Sequence, residues 1–296
     1  MSEIIELIKV LRDRTGAGLM DCKKALQEND NDVEKATVWL REKGIAKQAK
    51  KASTRIAADG KAWVKAKDNK AVIYEINSET DFVANSDPFK ELVEQVGDIL
   101  LANEPHTMDE AMASKLNDGQ SINDLFVDAG IKLGEKLSFR RYTVVHKKNS
   151  QVFGPYIHLK GKIATLTVID GGDEELAKNI SLNVCSNNPT YTTFDDIPAE
   201  IIEKETVIAK ETFANDPSFS KKPEHIQEQI ITGKVRSALV EQVLVEQQFI
   251  LDNSKTIGQL LKEKNASVVK YFRYAVGEGI EKKQEDFASE VSSQLK

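Results

Sequence analysis

The residue types that carry most enzyme chemistry are sparse in this chain. Among 296 residues there are four histidines (His106, His146, His158, His225) and two cysteines (Cys22, Cys185). They lie far apart, with none of the short ligand spacings of a zinc site, so no metal centre is signalled. A phosphate-cradling loop needs Gly-x-x-x-x-Gly-Lys-Ser/Thr, because backbone N–H groups wrap the phosphates while the hydroxyl holds magnesium. The nearest match runs from Gly154 to Gly161-Lys162. It has six intervening residues, lacks an N–H at Pro155 and carries Ile163 in place of the hydroxyl, and it reads as a hairpin turn. Gly16-x-Gly18 and Gly277-x-Gly279 lack the third glycine and the preceding strand of a dinucleotide site. No Gly-x-Ser-x-Gly elbow or His-Glu-x-x-His helix is present. Asp195-Asp196 could pair as an acid and a base, but its place just before Pro198 reads as a helix start. The expectation is a non-enzyme with no cofactor or metal of its own.

Asp81-Phe82 stands apart from this. It sets a large apolar ring beside an acid within the polar run Asn77-Ser78-Glu79-Thr80-Asp81-Phe82-Val83-Ala84-Asn85. Two readings are open. Phe82 folds back onto a core, or it is a wedge that enters a partner's pocket while Asp81 disturbs the charge chemistry beside it.

The elements that must position this pair follow from hydrophobic periodicity. Ser2 can cap a first helix carrying Ile4, Ile5, Leu7, Ile8 and Leu11, stopped by Thr15-Gly16-Ala17-Gly18. A second follows through Leu19, Met20, Cys22, Ala25 and Leu26. Asp32 caps a third with Val33, Ala36, Trp39 and Leu40 inward, and Gly44 is expected at its C-terminal stop. Residues 41–61 hold seven basic side chains (Arg41, Lys43, Lys47, Lys50, Lys51, Arg55, Lys61) against Glu42 and Asp59. With no aromatics interleaved for base stacking, this stretch reads as a solvated helix or linker rather than a nucleic-acid patch.

The period then changes to two. Residues 61–67 and 71–76 alternate around Asp68-Asn69-Lys70, which predicts a hairpin. After the polar run, Ser86 and Pro88 open a helix with Phe89, Leu92, Val93, Val96, Ile99 and Leu100 on one face. About 90 residues on, the plan recurs. Residues 152–159 and 162–169 form a hairpin over Lys160-Gly161, and Asp170-Gly171-Gly172 leads into a helix carrying Leu176, Ile180 and Val184. The repeat predicts a duplicated α+β core. Residues 198–249 read as an antiparallel helical hairpin: Ile201, Glu205, Ile208, Ala209 and Thr212 in the first arm, Ile226, Ile230, Val235, Leu239 and Val243 in the second. A helix over 255–264, a strand or core segment over 268–276 and an amphipathic helix with Phe287 and Val291 complete the chain.

Composition sets the bounds. At 40% hydrophobic and 30% charged residues the chain is an ordinary globular one, long enough for about two domains. Lys and Arg total 41 against 47 Asp and Glu, a net charge of −6, which argues against broad, charge-driven nucleic-acid binding. Two cysteines make no disulfide scaffold, and no apolar run of about 18 residues reaches across a membrane. The N-terminus has neither a basic signal start nor an Arg-rich transit bias, so a cytoplasmic location is expected.

Five segments carry a family resemblance. Residues 11–26 include Arg12, Thr15-Gly16-Ala17-Gly18-Leu19-Met20-Asp21 and Lys23-Lys24-Ala25-Leu26. They are followed by Thr80-Asp81-Phe82-Val83-Ala84, and by Lys132-Leu133-Gly134-Glu135 with Arg140-Arg141. Ser254-Lys255-Thr256-Ile257-Gly258-Gln259-Leu260-Leu261 and Val276-Gly277-Glu278-Gly279-Ile280-Glu281-Lys282 complete the set. In this order they resemble the bacterial translation elongation factor Ts family. The resemblance implies an α+β fold in which residues 1–44 form a ubiquitin-associated-like three-helix module and 45–60 a basic linker. Residues 61–145 would be the N-terminal core subdomain. Residues 146–275 would be the C-terminal core subdomain, with the hairpin inserted at about 198–249, and 276–296 a C-terminal module. It further implies a guanine-nucleotide exchange factor for elongation factor Tu, with no direct nucleic acid, membrane or small-molecule substrate. Arg12, Leu19 and Met20 match the family's docking positions. Asp81, Phe82, Leu133, Gly134, Glu135 and His158 match further contacts with Tu, and Thr80, Asp81, Phe82 and Val83 match the segment that dislodges magnesium from it. Leu19 stands where some relatives have methionine, a swap of similar volume. An adaptor working through residues 1–44, or an RNA-binding factor working through 41–61, would leave the Asp81-Phe82 loop and the later segments unexplained.

Overall fold

The structure, a computed structural model, describes residues 2–52, 55–117, 119–214 and 216–281. The expected C-terminal helix with Phe287 and Val291 lies outside the described residues, as does most of the 276–296 segment. The chain divides into two units: residues 1–146 with 157–164 and 274–296, and residues 147–156 with 165–273.

The first unit opens with three helices, α1 (Ser2–Thr15), α2 (Leu19–Glu28) and α3 (Val33–Ala52). Their apolar stripes meet in a small core of Leu11, Cys22, Ala25, Leu26, Ala36 and Leu40. Gly44 does not end α3, which continues to Ala52. A side chain at Gly44 would meet Ile131 Cδ1 at 2.2 Å, so the glycine serves a close helix approach instead of a stop. The basic stretch is accordingly helical through Ala52. Beyond it Lys61 is buried, its Nζ donating to the Lys160 carbonyl at 2.5 Å. Burial, with Lys90, Lys162 and Lys160 nearby, lowers its pKa.

The sheet of this unit pairs β1 (Asp59–Lys67), β2 (Lys70–Ser78) and β3 (Ser138–His146) in that order, all antiparallel. The predicted hairpin is the β1–β2 pair; the third strand is additional. Between β2 and β3 run α4 (Asp81–Asn85), α5 (Asp87–Asn103), α6 (Met108–Ala113) and α7 (Ile122–Leu133). The polar run that reads as a loop therefore contains α4. All six residues expected on the apolar face of α5 are buried, against Val72, Tyr74 and Ile76 of β2 and Phe126 of α7.

In the second unit β4 (Gln151–His158), β5 (Ile163–Asp170) and β8 (Ser267–Ala275) form a three-stranded sheet, with β5 central; the ends of these strands, at 157–158, 163–164 and 274–275, count with the first unit. Asp173 caps α8 (Glu174–Asn187), whose Leu176, Ile180 and Val184 are buried as expected. The helical hairpin is α9 (Ala199–Phe213), α10 (Pro217–Ser220) and α11 (Glu224–Leu239), with Ala209, Val235 and Leu239 in its core. Val243 shares that core from outside the helix, which ends at Leu239. Asp195-Asp196 lies in a one-turn 3-10 helix, where the Asp196 carboxylate accepts from the Thr193 N–H at 2.8 Å. A short hairpin of β6 (Gln248–Phe249) and β7 (Asp252–Thr256) precedes α12 (Ile257–Glu263). The helix expected over 255–264 thus starts two residues later. Thr256 and Gln259 close a capping box at its start, which ends the strand there. The mixed α+β class, with an N-terminal helical module and antiparallel sheets, is as expected.

Close contact between sheet and helix in this unit is made at Gly154. A Cβ there would sit 2.1 Å from the Ala177 carbonyl carbon and 2.6 Å from the Lys178 nitrogen, both backbone atoms of α8. Gly154→Ala is therefore expected to cost about 1–3 kcal/mol by overpacking, read as a fall of several degrees in a thermal melt.

Candidate functional site

Strand β2 ends at Ser78, and two residues later Thr80 caps α4. Thr80 has the extended backbone of an N-cap (φ −124°, ψ 156°), and its hydroxyl accepts from the Val83 N–H at 3.3 Å. The five-residue helix turns Ala84 into the core and packs Val83 against it. Successive helical residues are about 100° apart, so Phe82 is carried to the opposite side, where it is 85% exposed. Asp81 is exposed in the first turn, where a carboxylate suits the helix dipole. Ser86 closes the far end: its hydroxyl donates to the Val83 carbonyl at 2.8 Å, and α5 begins at once. A phenylalanine held out in solvent on a capped turn is a deliberate arrangement, because burying the ring would be worth about 2 kcal/mol or more.

The neighbouring strip comes from α7. Leu133 ends the helix and packs on the first unit's core, and Gly134 (φ 73°) makes the left-handed stop, its N–H donating to the Gly130 carbonyl at 3.0 Å. The chain then turns so that the Glu135 carboxylate reaches the start of the Phe82 loop. Its Oε2 accepts from the N–H groups of Glu79 and Thr80, each at 3.1 Å, and its Oε1 accepts from the Thr80 hydroxyl at 2.6 Å. In return the Glu79 carboxylate accepts from the Lys136 N–H at 2.5 Å and from Arg55 Nη1 at 2.9 and 3.2 Å. Leu133, Gly134 and Glu135 are thereby brought alongside Thr80, Asp81, Phe82 and Val83.

The other expected residues lie elsewhere in the first unit. Arg12 is exposed in the last turn of α1. Leu19 and Met20 begin α2 and are 54% and 71% exposed, while Cys22, two residues on, is buried. Burial pushes the thiols of Cys22 and Cys185 up, which suits packing and not nucleophilic work. His158 ends β4 and is half-buried; its carbonyl accepts from the N–H groups of Gly161 (3.0 Å) and Lys162 (3.1 Å). Sequence reasoning misses Leu159 next to it, 67% exposed with its backbone in the left-handed region at φ 46°. An apolar residue at a hairpin tip, ahead of Lys160-Gly161, was the available signal. It also misses the grip of Glu79, Arg55 and Lys136 on the loop. Among the described residues no three His, Cys, Asp or Glu side chains gather in a way that could hold a metal ion, and no helix is long and apolar enough to cross a membrane.

Residues 79–278 match the family model described as Elongation factor TS, and residues 3–50 match that described as Elongation factor Ts, mitochondrial, N-terminal. A curated relative, Elongation factor Ts of Acholeplasma laidlawii (strain PG-8A), is 44% identical over 289 residues, covering 98% of this chain and 97% of its own. A helical module ahead of an α+β core, with matches spanning nearly the whole length, defines a translation elongation factor that serves protein biosynthesis. Within that class the chain belongs to the elongation factor Ts family.

Proposed function

We propose that this protein is a guanine-nucleotide exchange factor, not an enzyme, that docks on elongation factor Tu in the cytoplasm and releases GDP from it. The observation that carries the reading is Phe82, held 85% exposed on a short capped helix beside an exposed acid. A GTPase holds GDP through phosphate-cradling N–H groups, a lysine and a magnesium ion bridging phosphate and hydroxyl. Phe82 pushes apart the helices that support the metal, Asp81 competes for its water ligands, and Thr80 and Val83 frame the pair. Loss of magnesium leaves phosphate charge uncompensated, and the nucleotide leaves. The coupling is reciprocal: if the factor loosens GDP, GDP loosens the factor. In this reading residues 1–44 dock through Arg12, Leu19 and Met20. Residues 61–145 carry the wedge and its neighbours Leu133, Gly134 and Glu135, and residues 146–275 add His158. No cofactor, membrane, nucleic acid or small-molecule substrate is required.

Stopped-flow release of a fluorescent GDP analogue from purified elongation factor Tu tests it, with this protein at sub-stoichiometric amounts. The expected result is turnover-style acceleration that weakens as magnesium is raised; no acceleration with a cognate Tu removes the exchange reading. The docking assignment has its own check. Leu19→Ala with Met20→Ala is expected to raise the concentration for half-maximal acceleration by roughly tenfold or more, since anchors truncated at a protein interface cost about 1–2 kcal/mol each. Because both side chains are largely exposed, the melting temperature should hold.

A further inference from the structure

A five-residue helix cannot hold its own shape, because helix nucleation is unfavourable and only propagation recovers the cost. The direction in which Phe82 projects is therefore set from outside α4, and the grip comes from Glu135. Three donors converge on its carboxylate: the Glu79 and Thr80 N–H groups at 3.1 Å each and the Thr80 hydroxyl at 2.6 Å. Thr80 has one hydroxyl proton. Giving it to Glu135 turns an oxygen lone pair toward the Val83 N–H at 3.3 Å, which closes the first turn around Phe82. The Ser78 hydroxyl, donating to the Thr80 carbonyl at 2.9 Å, fixes the same residue from the strand side. One residue further on, the Lys136 N–H donates to the Glu79 carboxylate at 2.5 Å, so residues 135–136 and 79–80 hold each other in both directions. Three of the roughly four lone-pair positions on the half-buried Glu135 carboxylate are thus filled from residues 79 and 80, so most of its accepting capacity is spent within the protein.

We infer that Glu135 is a positioning residue for nucleotide release: it acts through Thr80 to set the angle of the Phe82 turn and does not itself bind the partner. The inference rests on the exchange reading above.

Two measurements on the full-length protein test it. The first needs no partner. In Glu135→Ala, amide hydrogen exchange at Glu79, Thr80 and Val83 is expected to quicken by roughly tenfold or more, the scale of a lost hydrogen bond to a charged group, while the β1–β2 amides keep their protection. Glu135→Gln, which keeps length but presents N–H donors to one side of the site, should fall between. The second is a double-mutant cycle on catalysed GDP release, with Glu135→Ala, Thr80→Val and the double variant. Action through Thr80 predicts a double variant no slower than the slower single one; a direct contact with Tu predicts that the two losses multiply. Unchanged exchange at Thr80 and Val83, or multiplied losses, overturns the inference. If wild-type protein gives no acceleration of GDP release, the exchange reading itself falls and the role of Glu135 with it; that control separates the two failures.

Discussion

Phe82→Ala is expected to slow catalysed GDP release from elongation factor Tu by roughly 30-fold or more, the scale of truncating an aromatic hot spot at about 2 kcal/mol or above. The loss should appear in the maximal release rate, since a wedge acts on the bound state and not on encounter. The fold should not notice. Phe82 is 85% exposed and buries little in the free protein, so the change belongs with surface substitutions worth about 0.5 kcal/mol or less. Stopped-flow release and a thermal melt on the same preparation decide it. Equal release rates for variant and wild type would show that the ring is not a wedge, and a large fall in melting temperature would show that it packs.

The second large effect is on stability, and its centre is Glu75. This carboxylate lies fully buried in β2 and accepts from Arg140 Nη1 at 2.9 and 3.1 Å, Arg141 Nε at 2.7 Å, Asn77 Nδ2 at 3.0 Å and the Gly277 N–H at 2.8 Å. Two consecutive arginines reach one acid because the β2–β3 register slips there: Ile76 faces Phe139 and Glu75 faces Arg141, leaving Arg140 as the extra residue of a bulge. Burial alone would raise the pKa of Glu75, but the Gly277 amide, Asn77 and the two guanidinium groups outweigh it and hold the value below the usual carboxylate range. Glu75→Gln keeps the volume and removes the charge. Because Arg140 and Arg141 are only partly buried, the expected cost is about 2–3 kcal/mol, near the lower end for breaking such a pair. Over a unit of this size that lowers the melting temperature by about 5–10 °C. The pH dependence has a definite sign. A depressed carboxylate pKa supplies stability that is whole above roughly pH 5 and drains away as pH falls through the folded-state value. The gap in melting temperature between wild type and Glu75→Gln should therefore narrow on acidification; a gap that widened would assign the stabilisation to another group.

That same bulge shows where the sequence stops being readable. The first hairpin, the apolar face of α5 and the buried stripe of α8 all follow a clean period, and the structure matches them. Strand β3 does not, since Arg140-Arg141 breaks the alternation at the place where the pairing itself breaks. Gly44 misled for a related reason: glycine marks either a helix stop or a close approach, and only the position of Ile131 tells the two apart. At the candidate site, Asp81-Phe82 was conspicuous as a hydrophobe in a polar run. Its exposure was not legible, because the outward direction depends on Thr80 capping α4 and on Glu135 arriving from 55 residues away. Side chains that meet across such a separation leave no local pattern. Leu159 escaped for the opposite reason, being a single apolar residue in a turn whose left-handed backbone no composition rule would give to leucine.

Helix α7 touches both parts of the first unit that the exchange reading uses. Near its start Asp124 pairs with Arg41 of α3, and two residues before its end Ile131 packs on the core of the three-helix module. Just past its end Glu135 grips the Phe82 turn. In that reading the helix is a gauge block between the three-helix module and the Phe82 turn. Adding or removing one residue within its 12 would swing one end by about 100° relative to the other, so either the module or the turn would lose its seat. Length changes are then tolerable in the loop ahead of α7, but not within the helix or in residues 134–136 that follow it.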